Sequence, residues 1–258
     1  MLAVERQQRI LDMLSKSRAV TTTRAAKVLA VSAETVRRDF EKLAADGRLY
    51  REHGGAVPVN DGRRDLPLDS REMASVSEKE AIARVARGLI QKGDTVFFDA
   101  SSTVFHLARL LAELEVTVLT NALKIAAELA RQPAVEVILL GGVVNHGSLS
   151  CEGSLADQML ESYHIQKAFM SCRGLDAERG VSEANAEQAG LKRKIIRLSD
   201  QTIVLADSTK MGLKSSYFFA SLEDIDTLIT ERPPGKKVKR ALQGSGGKLL
   251  LPAEEEPA

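Results

Sequence analysis

The sequence predicts an α/β protein in two parts: a small N-terminal winged helix-turn-helix, residues 1–57, and a larger α/β domain, residues 71–232. Three observations predict it. Residues 1–57 carry three helical patterns followed by a Gly-Gly bend. From Thr95 onward, short β-branched runs alternate with helical stretches, the mark of a mostly parallel sheet with helices on both faces. Between the two, residues 58–70 hold Pro58, Pro67 and Asn60-Asp-Gly-Arg-Arg-Asp65, the composition of a linker.

Val4, Ile10, Leu11 and Leu14 form an apolar helical stripe between Met1 and Ser17, interrupted by Arg6 and Arg9. Val20-Thr-Thr-Thr23 is a helix-start signal for a helix of barely two turns, Arg24 to Leu29, and Ala30-Val31 is a tight turn. The helix over 33–46 is the most informative element. Its Val36, Phe40 and Leu43 fall at i, i+4 and i+7, one buried stripe, which leaves Glu34, Thr35, Arg37 and Arg38 on the other side. Ser32 stands where its hydroxyl can accept from a free backbone N–H of the first turn. Two guanidinium forks at the N-terminal part of a helix are what a recognition helix presents to base edges in the major groove. Asp46-Gly47-Arg48 is a turn, and Leu49 to Val57 reads as two short strands around Gly54-Gly55. Such a wing touches phosphates through Arg51 and His53. The DNA-contacting candidates are Thr22, Ser32, Glu34, Thr35, Arg37, Arg38, Arg51, His53 and Gly54.

Charge agrees with this assignment. Residues 1–57 hold 11 Lys+Arg and 7 Asp+Glu, a balance of +4, whereas the whole chain has 36 against 35, leaving 25 against 28, or −3, for the rest. A basic end on a neutral chain fits phosphate contact at one place. No apolar run approaches the roughly 20 residues of a membrane-spanning helix, and the N-terminus lacks a signal peptide's apolar core. Cys151 and Cys172 form no disulfide framework, which fits a reducing cytoplasm. His53, His106, His146 and His164 show no metal-ligand spacing, and no cofactor motif is present. Without Trp and with few aromatics there is no stacking platform for single strands.

In the larger domain a helix over 78–90 leads to Gly93. Strands follow at 95–99, 116–120, 135–140, 167–171, 202–206 and 226–230, and helices at 104–114, 122–131, 155–162 and 184–198. Ligands of such sheets bind at the carboxyl ends of strands, and the residues there make one set. Asp99-Ala-Ser101-Ser102-Thr103 gathers three hydroxyls at a helix start, a cradle for phosphate. Thr120-Asn121 supplies side-chain donors, Gly141-Gly142 permits close backbone approach, and Asp207-Ser-Thr-Lys210 adds a carboxylate and an ammonium. Each piece alone is an ordinary cap or turn; together they favour a ligand site. Beyond Pro233, Lys236-Lys-Val-Lys-Arg240 caps a last helix as a solvated face, residues 249–251 add an edge strand, and residues 252–258 are disordered in this reading.

The N-terminal residues resemble a known pattern. Arg6, Ile10 and Leu14, then Ser32-x-x-Thr35-Val36-Arg37-Arg38-Asp39-Phe40 and Arg51-x-His53-Gly54-Gly55-Ala56, match the signature of the DeoR family of bacterial sugar-metabolism regulators. The resemblance implies a C-terminal domain similar to ribose-5-phosphate isomerase and the CoA transferases that senses phosphorylated sugars. The family's usual loop Asp-Ser-Gly-Thr-Thr stands here as Asp99-Ala-Ser-Ser-Thr103, with Ser101 in the glycine position. Ser171-Cys172, Gly174-Leu-Asp176 and Asn185-Ala186 are similar to the branch that regulates the L-fucose operon, although Arg173 departs from the acidic residue expected there. That branch implies a deoxy-ketose 1-phosphate such as fuculose-1-phosphate or rhamnulose-1-phosphate. The effector candidates are therefore Asp99, Ser101, Ser102, Thr103, Thr120, Asn121, Gly141, Gly142, Asn185, Asp207 and Lys210.

The expected function is a DNA-binding transcriptional regulator, more often a repressor in this family, of a carbohydrate catabolic operon. Its partners are double-stranded operator DNA, a phosphorylated sugar and a second copy of the chain, since one reader covers only a half-site and a homodimer or homotetramer follows. The rival class is a sugar-phosphate isomerase-like enzyme, which needs a carboxylate base. Asp99, Asp176, Glu183 and Glu187 qualify by type only. A DNA-binding protein with no sugar effector is the third reading.

Overall fold

The computed structural model describes residues 2–15, 17, 19–45, 48–52, 54–58 and 68–253. Two compact units make up the chain, one holding the elements before the linker and the other those from Val76 onward.

In the first unit, helices α1 (Ala3–Ser15), α2 (Thr22–Leu29) and α3 (Ala33–Ala45) enclose a small core with strands β1 (Val20–Thr21), β2 (Leu49–Glu52) and β3 (Gly55–Pro58). Ile10 and Leu14 of α1, Ala25 and Leu29 of α2, and Val36, Phe40 and Leu43 of α3 are buried together with Leu49 and Ala56. The turn after α2 is made by Ala30, left-handed at φ 53°, whose amide closes on the Ala26 carbonyl. Val20–Thr21 pairs antiparallel with β3, giving a three-stranded wing ordered β1-β3-β2. The sequence pattern reads this pair only as a helix start, because two residues carry no period. Gly54 turns the wing at φ +84°, and Gly55 serves a different need: a Cβ there would sit 2.6 Å from the Val20 carbonyl oxygen. Gly55→Ala is therefore expected to destabilise this unit by about 1–3 kcal/mol, the usual cost of forced overpacking. Faster hydrogen exchange of the Thr22 amide, which donates to the Gly54 carbonyl at 2.8 Å, reports it.

The predicted linker, residues 58–70, begins with Pro58 in β3 and ends within helix α4 (Leu68–Met73); residues 59–67 lie outside the described residues. The second unit is built on a seven-stranded parallel sheet, ordered β15-β14-β12-β9-β4-β5-β6. Its strands are β4 (Thr95–Phe98), β5 (Val116–Thr120), β6 (Val135–Leu139), β9 (Ile165–Ser171), β12 (Ser199–Leu205), β14 (Thr227–Ile229) and β15 (Lys248–Leu250). Neighbouring residues face opposite ways, as a strand demands. Phe98, Val118 and Phe169 pack with Ile82 of α5 (Val76–Arg87), Val104 of α6 (Ser102–Ala108) and Ile125 of α7 (Leu123–Leu129). Phe97, Leu119 and Met170 pack on the other face with Leu160 of α8 (Ser154–Leu160) and Ile195 of α9 (Ala186–Leu198).

Elements that the sequence pattern does not show are short and antiparallel. A hairpin pairs β7 (Val143–Asn145) with β8 (Ser150–Glu152). A second sheet pairs β10 (Gly174–Asp176), β11 (Gly180–Glu183) and β13 (Tyr217–Ala220). The domain also continues beyond residue 232: α10 (Lys236–Gly244) buries Val238 and Leu242, and β15 adds to β14 as a parallel edge strand. Residues 254–258 lie outside the described residues.

Strand order reverses at β4. The chain runs from β4 to β5 and β6 on one side, then returns to lay β9 on the other. A crevice opens where such a reversal occurs, beyond the carboxyl ends of the two strands. Asp99 and Ser171 stand there. Among the described residues, no helix is long and apolar enough to cross a membrane.

Candidate nucleic-acid interface and effector site

Helix α3 is split cleanly between two tasks. Its inner face carries Val36, Phe40 and Leu43 together with Asp39, only 3% exposed. Arg6 of α1 forks onto that carboxylate through Nε to Oδ2 and Nη2 to Oδ1, and Gln7 Nε2 donates to Oδ1 at 3.2 Å. Hydrogen bonding to Asp39 raises the Arg6 pKa above its ordinary value despite partial burial. Arg6 and Asp39 therefore lock α1 to α3 and are not free for DNA.

The outer face carries Glu34, Arg37 and Arg38, all exposed, with Arg38 the most open of the three side chains at 79%. Both guanidiniums lean on Glu34, Arg37 at 3.1 Å and Arg38 at 3.7 Å. Exposed pairs of this kind are worth little, so either arginine is released at low cost. Arg51 of the wing pairs with Glu41 of α3 at 2.7 Å. Ser32 Oγ accepts from the Thr35 amide at 3.1 Å and lies 2.8 Å from Thr35 Oγ1, so both hydroxyls serve the helix start. Ser32→Ala is expected to lose about 1 kcal/mol, read as a lower melting midpoint of this unit. Thr22 is buried at the head of α2, whose N-cap is Thr21. His53 lies outside the described residues.

In the larger unit, Lys192 is the hub that the sequence reading omits. Its ammonium lies 2.8 Å from Asp99 Oδ2, 2.5 Å from Glu183 Oε1 and 2.7 Å from the Ser171 carbonyl. Burial alone would favour the neutral amine, but Asp99 and Glu183 outweigh it and raise the pKa, so the group stays charged. Asp99 Oδ2 also accepts from the Ser171 amide at 2.9 Å. One lysine thus ties the ends of β4 and β9 to β11 of the second sheet. Burial first, then Glu183, pushes the neighbouring Cys172 thiol up to about 12, so it packs as a neutral group.

Several predicted effector residues prove to be committed to the fold. Ser101 Oγ caps α6 by accepting from the Val104 amide at 3.2 Å. Its φ of −106° is extended, which explains why a serine is acceptable where the family pattern has glycine. Thr120 Oγ1 donates to the Phe98 carbonyl and accepts from the Ala122 amide. Asn185 Oδ1 caps α9 through the Glu187 and Gln188 amides. Gly142, at φ +142°, is needed because a Cβ would meet the Glu152 carbonyl oxygen at 2.4 Å; the close approach is to the chain itself. Gly141 has only Met159 sulfur beside it.

The remaining candidates lie at the carboxyl ends of β4, β5 and β12 in the one parallel sheet. The buried side-chain atoms without a hydrogen-bond partner among the described residues include Asp99 Oδ1, Asn121 Oδ1, Asp207 Oδ2 and the Nε2 of Gln188, a residue the sequence reading missed. Asp99, Asn121 and Asp207 follow β4, β5 and β12, and Gln188 lies one turn before Lys192 on α9. Asp207 Oδ2 has Lys210 Nζ 3.7 Å away. The hydroxyls of Ser102 and Thr103 make no hydrogen bond among the described residues. Leaving a buried polar group unpaired costs about 1–3 kcal/mol, a cost that a polar ligand at these strand ends can remove. Three acceptors, one amide donor, two hydroxyls and an ammonium suit a molecule with several hydroxyls and an anionic group.

The four carboxylates suggested for proton abstraction differ in their surroundings. Asp99 and Glu183 are bound by Lys192, and Glu187 is exposed. Asp176 accepts from the Glu178 and Arg179 amides and pairs with Lys214 at 3.4 Å; burial opposes these contacts, but they prevail and lower its pKa.

Comparison with known proteins gives the family. Residues 6–61 match the DeoR-like helix-turn-helix domain, and residues 74–232 match the DeoR C terminal sensor domain. The HTH-type transcriptional regulator YulB of Bacillus subtilis is 41% identical over 231 residues, 90% of each chain. The HTH-type transcriptional repressor GlcR of the same organism is 36% identical, covering 98% of this chain and 97% of its own. The L-fucose operon activator of Haemophilus influenzae is 32% identical, covering 88% and 91%. The chain belongs to the DeoR family of helix-turn-helix transcriptional regulators.

Proposed function

We propose that this regulator is a cytoplasmic, homo-oligomeric repressor of a carbohydrate catabolic operon, and that a phosphorylated sugar controls its hold on operator DNA. The observation that carries the effector is the set of unpaired polar atoms that follow β4, β5 and β12 or lie on α9. Sugar hydroxyls donate to Asp99 Oδ1, Asn121 Oδ1 and Asp207 Oδ2 and accept from Gln188 Nε2. The phosphate takes the Ser102 and Thr103 hydroxyls and Lys210. Helix α6 has only seven residues, so the hydroxyls and the ammonium, more than a helix dipole, hold the charge. Repression is supported by GlcR, named a repressor, although another relative is named an activator.

Operator DNA is met by the exposed face of α3, with Arg37 and Arg38 as base-reading forks and Arg51, His53 and Gly54 on the wing side. Arg38→Ala is expected to lower specific DNA affinity about 5- to 150-fold, the equivalent of 1–3 kcal/mol for a bidentate base contact. Its melting curve should overlay the parent's. Equal affinity for specific and scrambled DNA in the parent would remove the sequence-reading role.

The test of the whole reading is fluorescence anisotropy on DNA from the chain's own upstream region. Fuculose-1-phosphate, rhamnulose-1-phosphate and fructose-1-phosphate are titrated, with the unphosphorylated sugars as controls. A shift in DNA affinity by one phosphate alone identifies the effector class, and by linkage DNA then alters that sugar's binding by the same factor. Tight DNA binding that no sugar phosphate changes leaves a regulator without this signal.

A further inference from the structure

A second polar recess lies away from the strand ends. It has a volume of about 240 Å³ and is lined by Glu80, Ala83 and Arg84 of α5 with His106, Arg109 and Leu110 of α6 and its C-terminal end. At ~30 Å³ per water in the liquid, it holds roughly eight waters, enough for a phosphoryl group carrying a small carbon skeleton. Arg84 and Arg109 come from α5 and the C-terminal end of α6, and neither side chain makes an ion pair or hydrogen bond among the described residues. The one carboxylate in the lining, Glu80, sits 3.9 Å from His106 Nδ1. Two guanidinium forks against one carboxylate leave the recess cationic, and Arg109 caps the carbonyl end of α6, where the dipole itself attracts no anion.

We propose that this recess binds a small phosphoryl dianion, gripped between Arg84 and Arg109, as a site separate from the sugar site. Planar forks match phosphate oxygens two at a time, which a lysine pair could not do. Ala83 and Leu110, the latter 39% exposed, give the ester carbon an apolar wall. The position suggests its use. Helix α6 begins at Ser102 and Thr103 and ends at Ala108, next to Arg109, so one seven-residue rod joins the two sites. Helix α5 is the first helix of the larger unit in chain order after α4. A dianion bridging the two helices ties them together, and any effect on sugar affinity is returned by the sugar in equal measure.

The test follows the His106 imidazole by NMR in the full-length protein while inorganic phosphate or methyl phosphate is added. Both probes are expected to give a saturable shift of His106. Arg84→Gln with Arg109→Gln should weaken it at least about tenfold, since two charge-assisted contacts are lost. Both arginines are exposed, so the melting midpoint of this double variant should stay at the parent value. Thr103→Val, at the other end of α6, should leave the His106 titration unchanged even where it abolishes the sugar response. Saturation by inorganic phosphate alone assigns the site to the free ion; saturation by methyl phosphate as well assigns it to esters. No saturable shift in the parent, an unchanged titration in the double variant, or loss of the shift in Thr103→Val would each overturn the proposal.

Discussion

Lys192→Met is expected to destabilise the sensor unit by about 3–5 kcal/mol, the range for breaking a buried ion pair by removing one partner. The side chains of Lys192, Asp99 and Glu183 are 7%, 3% and 12% exposed, so the substitution strands two carboxylates with little water to take over. Methionine fills much of the volume, which keeps the loss electrostatic. For a unit of this size the midpoint should fall by roughly 6–20 °C. The triple change Asp99→Asn, Glu183→Gln, Lys192→Met should recover much of it, because neutral amides replace uncompensated charge. The pH dependence follows from the sign of the shift. Lys192 has a folded pKa raised above the ordinary lysine value of 10.5. Its contribution is therefore complete below that value and is lost only as pH rises through the raised folded pKa. From neutral to mildly alkaline pH, parent and Lys192→Met should keep a constant gap in stability. A gap below about 1 kcal/mol would mean that water already reaches the triad and that Lys192 holds little together.

This hub was hidden in the sequence for a physical reason. Lys192-Arg193-Lys194 reads as a solvated basic run, and two of its members do lie partly in solvent. Only register separates the first: Gln188, Ala189, Leu191, Lys192 and Ile195 form the buried stripe of α9, with Lys192 inside it. A charge on an apolar stripe is the signal that would have found it, and Gln188, one turn earlier, would have come with it. The same limit appears at Ser101, Thr120 and Asn185. Hydroxyl and amide side chains cap helices and bind phosphates by the same hydrogen bonds. Their type locates the strand ends, while geometry decides which of them are free. Asp99, Asn121 and Asp207 keep an oxygen with no partner, whereas the oxygens of Ser101, Thr120 and Asn185 each accept from a backbone amide.

Longer elements were legible because their periods are local. The stripe of α3, its Ser32 cap, the Gly54-Gly55 bend and the hydrophobic runs of β4, β5 and β9 all stand close to where periodicity puts them. The hairpin β7–β8 and the sheet β10-β11-β13 have strands of three or four residues. Val181 pairs with Ala220, a partner that no local pattern names. α10 and β15 lie beyond the predicted domain limit at residue 232; the pairing of β15 with β14 and the burial of Val238 and Leu242 make them part of the same unit.

Arg6→Ala is expected to unfold the DNA reader while leaving the sensor unit's transition in place. Asp39 lies on the inner face of α3, with its side chain 4% exposed against 13% for Arg6. Removing the arginine leaves a buried carboxylate with only Gln7 to bond it, at a cost of about 3–5 kcal/mol. Asp39→Ala should cost less, because the long Arg6 side chain can carry its charge outward to water. Asp39→Asn keeps the shape and part of the hydrogen bonding and should fall below both. A domain of this length has little core to spare, and for one so small each kcal/mol moves the midpoint by about 4–8 °C. The first two losses therefore approach its whole stability, and specific DNA binding should vanish with the fold. Arg38→Ala next door separates the two roles: it should lower affinity with the reader intact, since nothing buried depends on it. Differential scanning calorimetry with anisotropy on the same samples distinguishes these outcomes. If Arg6→Ala melted and bound DNA like the parent, the fork onto Asp39 would not be what sets α3 against α1. The outward aim of Arg37 and Arg38 would then rest on the apolar stripe of Val36, Phe40 and Leu43 alone.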